Sequence, residues 1–375
     1  MPSPFEQRIL DRLRTERDPE ARALLRVELA CYWARVGEEH SAEQERQALR
    51  QEFANARSPR VSILVMVLEA LQAYYGSLDP AARDRLMRAS LLSKSFKAID
   101  LIALTSAWLA HVDLNQARFD SAVNELRTAI DALSQLSDGV EAVRCRIALT
   151  LGDANLLVGR VQASQEWYES ARLDAIAIGD HAGVGAMTYN RAALRVARAR
   201  FEDVAGLDSG IDRTLLRLDV DTAVNYQSAA RLKSLDHLLA TSKASQLVYQ
   251  YRYSEAVPVI EALLLTPAVT ARSAQRRLLQ ADLALALASV GKVEEASRAL
   301  HQFVTPEAGD LPIPSDDAAV MARSAALAFA QTGNNDEAQV WHERANRACH
   351  DHSLVCESLS SKLQDLRPLH TGQSA

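Results

Sequence analysis

Apolar residues recur through most of the chain at three- and four-residue spacing, the period of a helix that buries one face. Phe119, Val123, Leu126, Ile130 and Leu133 form one such stripe. Between the helical stretches a six-residue signal returns: a small or aromatic residue, a mostly polar turn, then a small residue. Its copies are Gly37–Ala42, Gly76–Ala81, Ala117–Ala122, Gly159–Ser164, Ala199–Val204, Tyr251–Ala256, Gly291–Ala296 and Gly333–Ala338. Their closing residues stand 39, 41, 42, 40, 52, 40 and 42 positions apart, a period near 40 with one long step. A fixed period of this size marks stacked supersecondary units.

Each copy reads as a helix–turn–helix. The opening glycine suits the left-handed conformation that ends a helix without a Cβ clash. The acidic residues after it favour the positive start of the next helix. The small closing residue lets two helices approach closely. A second small position stands twelve residues earlier, at Ala30, Ala110, Gly152, Ala192, Ala244, Ala284 and Ala326, with Glu69 the one misfit. Asp100, Asp138, Asp180, Asp219 and Asp351 precede first helices and read as N-caps. The long step adds about three helical turns. Residues 223–250 therefore form either one long first helix or a broken one, with Thr241-Ser242 as the break. Pro306, Pro312 and Pro314 mark an exposed loop from Thr305 to Asp317.

Composition narrows the alternatives. The 375 residues include only 14 glycines and 11 prolines, and aromatics make up 5%. β-Sandwiches, barrels and propellers need more turn punctuation and larger cross-strand side chains. The formal net charge is −6 and no Lys/Arg cluster stands out, which disfavours a phosphate-backbone partner. The longest apolar run, Val61–Leu68, is too short to span a bilayer. The N-terminal residues carry charge where a signal peptide needs an apolar core. Cys31, Cys145, Cys349 and Cys356 are too few for a disulfide framework. These features predict a soluble cytoplasmic protein without nucleic-acid or membrane partners.

The small residues at helix crossings, with an aromatic in the turn or second helix, resemble the tetratricopeptide repeat family. The fourth copy matches best, with Leu151, Gly152, Gly159, Ser164, Tyr168 and Ala171; the third follows with Ala110, Phe119, Ala122 and Ala129. The period is about 40 rather than the usual 34, and most copies lack the family's first aromatic. Repeats this long resemble the helical sensor regions of large bacterial transcriptional regulators. The resemblance implies an all-α, right-handed α-solenoid of about eight antiparallel helix pairs. Residues 1–20 would be a lead-in helix, 21–350 the solenoid, 351–367 a capping helix and 368–375 a disordered tail.

It also implies a non-enzymatic scaffold or adaptor that binds a protein or peptide along the concave face of the first helices, and leaves room for homo-oligomers. The register places Trp108, His111, Arg146, Asp153, Tyr189 and Asn190 on that face, with Asn190 where family members bond ligand backbone. Leu104, Leu149, Leu156, Leu278, Leu285 and Leu327 would add apolar surface there. The alternative is a ligand- or peptide-sensing receptor that acts on a separate signalling or transcriptional effector. No catalytic motif stands in the sequence, and no cofactor is expected. Cys349, His352 and Cys356 would share a face if their helix were continuous, a spacing able to hold zinc. Alignment of Asp351 with Asp180 instead puts this cluster across a capping loop, with the two cysteines on different helices. Cys31 and Cys145 read as buried free thiols.

Overall fold

The computed structural model describes residues 2–53, 58–207, 212–270, 273–304 and 313–366. Among these residues every regular element is a helix. The first nine are α1 (Pro4–Thr15), α2 (Pro19–Val36), α3 (Glu39–Glu52), α4 (Pro59–Ser77), α5 (Ala81–Ser95), α6 (Ile99–Asn115), α7 (Phe119–Leu133), α8 (Glu141–Leu157) and α9 (Val161–Ala177). There follow α10 (His181–Val204), α11 (Arg213–Ala230), α12 (Asp236–Tyr249), α13 (Tyr253–Leu264), α14 (Pro267–Thr270), α15 (Ser273–Ser289), α16 (Val293–Val304), α17 (Ser315–Gln331) and α18 (Asn335–Gln364). Neighbours pack as hairpins: α2 with α3, α4 with α5, α6 with α7, α8 with α9, α12 with α13, and α15 with α16. First helices also stack on first helices, α2 on α4, α6 on α8 and α15 on α17. The fold is an all-α solenoid of antiparallel helix pairs.

The local chemistry explains the turns. Gly37, Gly159, Gly291 and Gly333 all carry φ between +82 and +86° at helix ends, where a side chain would be strained. Ala117 and Tyr251 adopt the same left-handed form without being glycine, at a cost of roughly 1–2 kcal/mol each. In the second pair that residue is Leu78 at φ +51°, while Gly76 still belongs to α4. Close helix crossings need the small residues. A Cβ on Gly152 would lie 2.9 Å from the Tyr168 ring, and Ala30, Ala110, Ala244 and Ala284 are fully buried. At the second pair Ala70 takes the deep position, and Glu69 pairs with Arg46 and Arg50.

The helices differ from the sequence expectation in four places. Ala199–Val204 lies inside α10, whose chain turns only beyond, at Gly206 (φ +69°). Ala199 is fully buried and Phe201 nearly so, so packing carries the helix past the weak turn signal. The break within 223–250 falls after Ala230, at Arg231 (φ +56°), and Thr241-Ser242 sits within α12. Among the five proposed aspartate caps, Asp180 accepts the Gly183 N–H at 3.0 Å, whereas Asp219 and Asp351 lie inside helices. Asp100 stands in the first turn of α6 and binds Arg60, and Asp138 lies in the loop before α8. Finally, α18 runs unbroken through Asp351, so 351–367 is no separate capping helix. Residues 305–312 of the proline-rich loop and the tail 368–375 lie outside the described residues.

Where the register describes one uninterrupted array, contacts divide the chain into two compact units. Unit one contains the chain up to Met187, Tyr226–Leu235 and the residues from Leu359 onward; unit two contains Thr188–Asn225 and Asp236–Ser358. In unit one, Leu126, Ala129, Ile130 and Ile147 form a core that Leu359 and Leu363 of α18 complete. A second cluster joins Phe5 and Ile9 of α1 to Leu25, Leu29 and Tyr32 of α2, Ile178, Ala182 and Leu232. In unit two, Ala256, Ile260, Ala284, Leu285, Leu300, Phe303 and Phe329 belong to one hydrophobic core.

Candidate functional site

Four of the six inner-face candidates meet in unit one. Trp108 and His111 rise from α6, Arg146 and Asp153 from α8, and none is more than 5% exposed. The Arg146 guanidinium lies 3.7 Å from the Trp108 ring centroid, a stacked cation–π contact. Trp108 meets the His111 ring edge-on at 6.0 Å and the Tyr75 ring at 6.4 Å. His111 Nε2 and the Tyr74 hydroxyl are 3.2 Å apart, and Tyr168 donates its hydroxyl to Asp153 Oδ1 at 2.6 Å.

Two further first helices reach the same place. Arg35 of α2 pairs with Asp180, the cap of α10, at 2.7 Å across 145 residues of sequence. Burial alone would raise the Asp180 carboxyl. The Arg35 charge and bond, the Gly183 N–H and the Arg146 charge outweigh it and hold the carboxyl below its usual range. Burial, followed by the Arg146 charge, pushes His111 well below its ordinary value, so the ring is neutral at pH 7. Its Nδ1 stands 4.0 Å from Asp153 Oδ2 as a neutral group. Burial pushes the thiols of Cys31 and Cys145 up to about 12, which keeps both as unreactive thiols.

Together these residues form a buried polar and aromatic cluster. Helices α2, α4, α6, α8 and the start of α10 all contribute to it. The Nη1 of Arg146 and the Nδ1 of His111 have no hydrogen-bond partner, a costly state for buried polar groups. The arrangement can hold a planar or anionic group if it is opened.

Tyr189 and Asn190 fall in unit two, both half-buried. Tyr189 packs on the cluster of Ala192, Val196, Leu216 and Val220. Among the apolar candidates Leu149, Leu156 and Leu285 are buried, and Leu104, Leu278 and Leu327 are partly buried against cores. None of the six therefore supplies a broad exposed apolar face.

Arg35, Tyr74, Tyr75, Tyr168 and Asp180 join the site without having been singled out as inner-face residues. Counted back from the closing small residue of its repeat, Arg35 stands 7 positions away, Tyr75 6, Trp108 14 and Arg146 18. His111 and Asp153 do share an offset, 11 positions, and Arg35 and Tyr74 share one of 7, so register explains part of the meeting; of the added residues, Tyr168 carried the resemblance's aromatic signal and Asp180 a cap signal.

The Cys349–Cys356 cluster is corrected by the same helix that removes the loop. Cys349, His352 and Cys356 lie one and two turns apart on α18, so the two cysteines share one helix. His352 Nε2 is 3.2 Å from Cys356 Sγ, its Nδ1 is 3.2 Å from Ser315 Oγ, and its ring packs 4.4 Å from that of Phe201. Cys349 instead packs beside Phe201, Ala319 and Val320. Among the described residues no three His, Cys, Asp or Glu side chains are placed to hold a metal ion. Burial pushes Cys356 up to about 11 and lowers His352. Nearby, Arg200 and the Ser324 hydroxyl both bind Asp282 Oδ1, at 2.6 and 2.8 Å. Burial, with Asp316 and Asp282 close by, pushes Asp317 up to about 7.

No protein-family model matches the chain, and no curated protein matches it. A solved crystal structure described as the TPR domain of P58(IPK) aligns over 91% of this chain and 98% of that one. The identity is 14% and the TM-score 0.24, too loose a superposition to add to what the helices themselves show. No helix among the described residues is long and apolar enough to cross a membrane.

Proposed function

We propose that the chain is a non-catalytic, tetratricopeptide-like binding protein that takes a peptide or protein segment on the inner face of unit one. The observation that carries this reading is the convergence of Arg146, Trp108, His111 and Asp153 with two polar atoms left unpartnered. A ligand's backbone or carboxylate groups would satisfy both atoms, one on each of the adjacent helices α6 and α8. Selection of a displayed random-peptide library on the purified chain tests it. Enriched peptides whose binding drops at least tenfold with Arg146→Met support the reading; no enrichment on either the native chain or the Leu232→Ala/Ser234→Ala chain overturns it.

The Arg35–Asp180 link favours a receptor as the second reading. It joins α2 to the start of α10, so entry of a ligand requires that link to move, and a ligand that binds the open form shifts the population toward it. A bound peptide that leaves the small-angle scattering radius unchanged removes this second reading and spares the first.

A further inference from the structure

Unit one is closed along one line at the C-terminal turn of α2. The last carbonyls of a helix lack intrahelical donors. Here a short strap, residues 231–235 between α11 and α12, supplies them. The Lys233 N–H donates to the Val36 carbonyl at 2.9 Å and the Ser234 hydroxyl to the Arg35 carbonyl at 2.6 Å. Lys233 Nζ also reaches Glu38 at 3.1 Å. Gly37 makes room: a Cβ there would lie 2.7 Å from the Ser234 nitrogen, and its φ is +86°. Leu232 plugs into the Phe5–Leu29 cluster so tightly that a Cβ on Gly185 would come within 2.4 Å of its Cδ1. The Arg35–Asp180 pair lies on the same line.

The bonds of this seam differ from the rest of the unit. Helix pairs are held by continuous apolar clusters, whereas the strap adds to α2 two hydrogen bonds on helix-end carbonyls, one exposed ion pair and Leu232, which packs with Phe5, Leu29, Ile178 and Ala182. A hydrogen bond exchanged for water contributes little net stability. Low-stability lines of this sort are where local opening begins. Arg231 enters the strap at φ +56°, a conformation costly for a side-chain-bearing residue.

Resting on the reading that the inner face receives the ligand, we propose that the 231–235 strap is a releasable latch that controls access to that face. With the strap released, α2 swings from the start of α10 and uncovers Arg35, Trp108, Arg146 and Cys145.

Cys145 is a built-in reporter, buried beside Arg35, Arg146 and Asp180. Iodoacetamide labelling of the native full chain, resolved by site through peptide mass mapping, tests the latch. Leu232→Ala/Ser234→Ala should label Cys145 at least tenfold faster than the native chain, with Cys349 and Cys356 unchanged. Ser234→Ala alone, mild enough to leave the fold intact, should give a smaller rise, and Lys233→Ala almost none. An unchanged Cys145 rate overturns the latch, as does a parallel rise at all the cysteines, which signals general unfolding. The random-peptide library separates the two readings. Stronger enrichment on the double variant supports control by the latch, and equal enrichment on both chains overturns it. Enrichment on neither chain overturns the binding reading, and the labelling rate then decides the latch by itself.

Discussion

Each unit buries an Arg–Asp pair of nearly the same length, and the two pairs behave differently. Arg35–Asp180 in unit one closes at 2.7 Å and Arg200–Asp282 in unit two at 2.6 Å. Asp180 spends both oxygens, one on Arg35 and one on the Gly183 N–H. Asp282 gathers Arg200 and Ser324 on Oδ1 and leaves Oδ2 without a partner. Unit two adds Asp317, pushed up to about 7 by burial and its acidic neighbours. The pair itself therefore does not set the electrostatics of a buried layer. The count of remaining acceptors against donors around each carboxylate sets it: Asp180 has both oxygens bonded, whereas Asp282 keeps one open near Asp317, whose carboxyl is pushed toward the protonated form.

The largest expected effect tests that contrast by removing the cation from each layer. Arg200→Leu strands a fully buried Asp282 and should cost about 3–5 kcal/mol. Arg35→Leu should cost less, about 2–3 kcal/mol on the same grounds, because Asp180 keeps its Gly183 bond and the Arg146 charge. Urea denaturation of both variants checks the order, and a larger loss for Arg35→Leu breaks the comparison.

Next in size is an opposite response to pH. Asp317 has a folded value raised above the free aspartate value of about 3.9. Its contribution is complete below that value and lost as pH rises through about 7. From pH 4 to pH 8 this should remove a few kcal/mol of stability, on the order of 1–4, and Asp317→Asn should abolish that slope. Asp180, with a depressed value, has the reverse sign: its contribution is complete above about 3.9 and lost as pH falls through the folded value. Hydrogen exchange mapped at pH 5 and pH 8 should show α17 less protected at the higher pH with the start of α10 unchanged. Equal protection of α17 at both pH values contradicts this account of Asp317.

The smallest effect compares two hydroxyls. Ser324→Ala and Ser234→Ala each remove one hydrogen bond, worth about 0.5–1.5 kcal/mol net. The loss should approach the upper end for Ser324, whose acceptor is a buried carboxylate, and the lower end for Ser234, whose acceptor is a neutral backbone carbonyl in a partly buried bond. Thermal melts of the two variants rank them.

Several parts of this fold were legible in the sequence because they depend on neighbours along the chain. A left-handed turn residue and a small crossing residue act within one helix pair, so Gly159 and Gly152 announce themselves. Ala199–Val204 misled because its residues carry no strict turn requirement, and the burial of Ala199 and Phe201 keeps the helix going. The Cys349 cluster misled for the related reason that an aspartate inside a helix looks like a cap when only the sequence is visible. Trp108, His111, Arg146 and Asp153 were grouped from register. Their burial, and their meeting with Arg35, Tyr75 and Asp180, were not, because those groups sit at different heights on successive helices.

Helical pairing and the small residues that permit it can be read along the chain, because they follow from hydrophobic period, backbone freedom and side-chain volume within about 40 residues. Only the tertiary structure decided that α2 returns to the start of α10, that a strap from 231–235 seals this junction, and that the chain forms two units. Those outcomes rest on bonds between residues 145 to 199 positions apart, a span that no single repeat encodes.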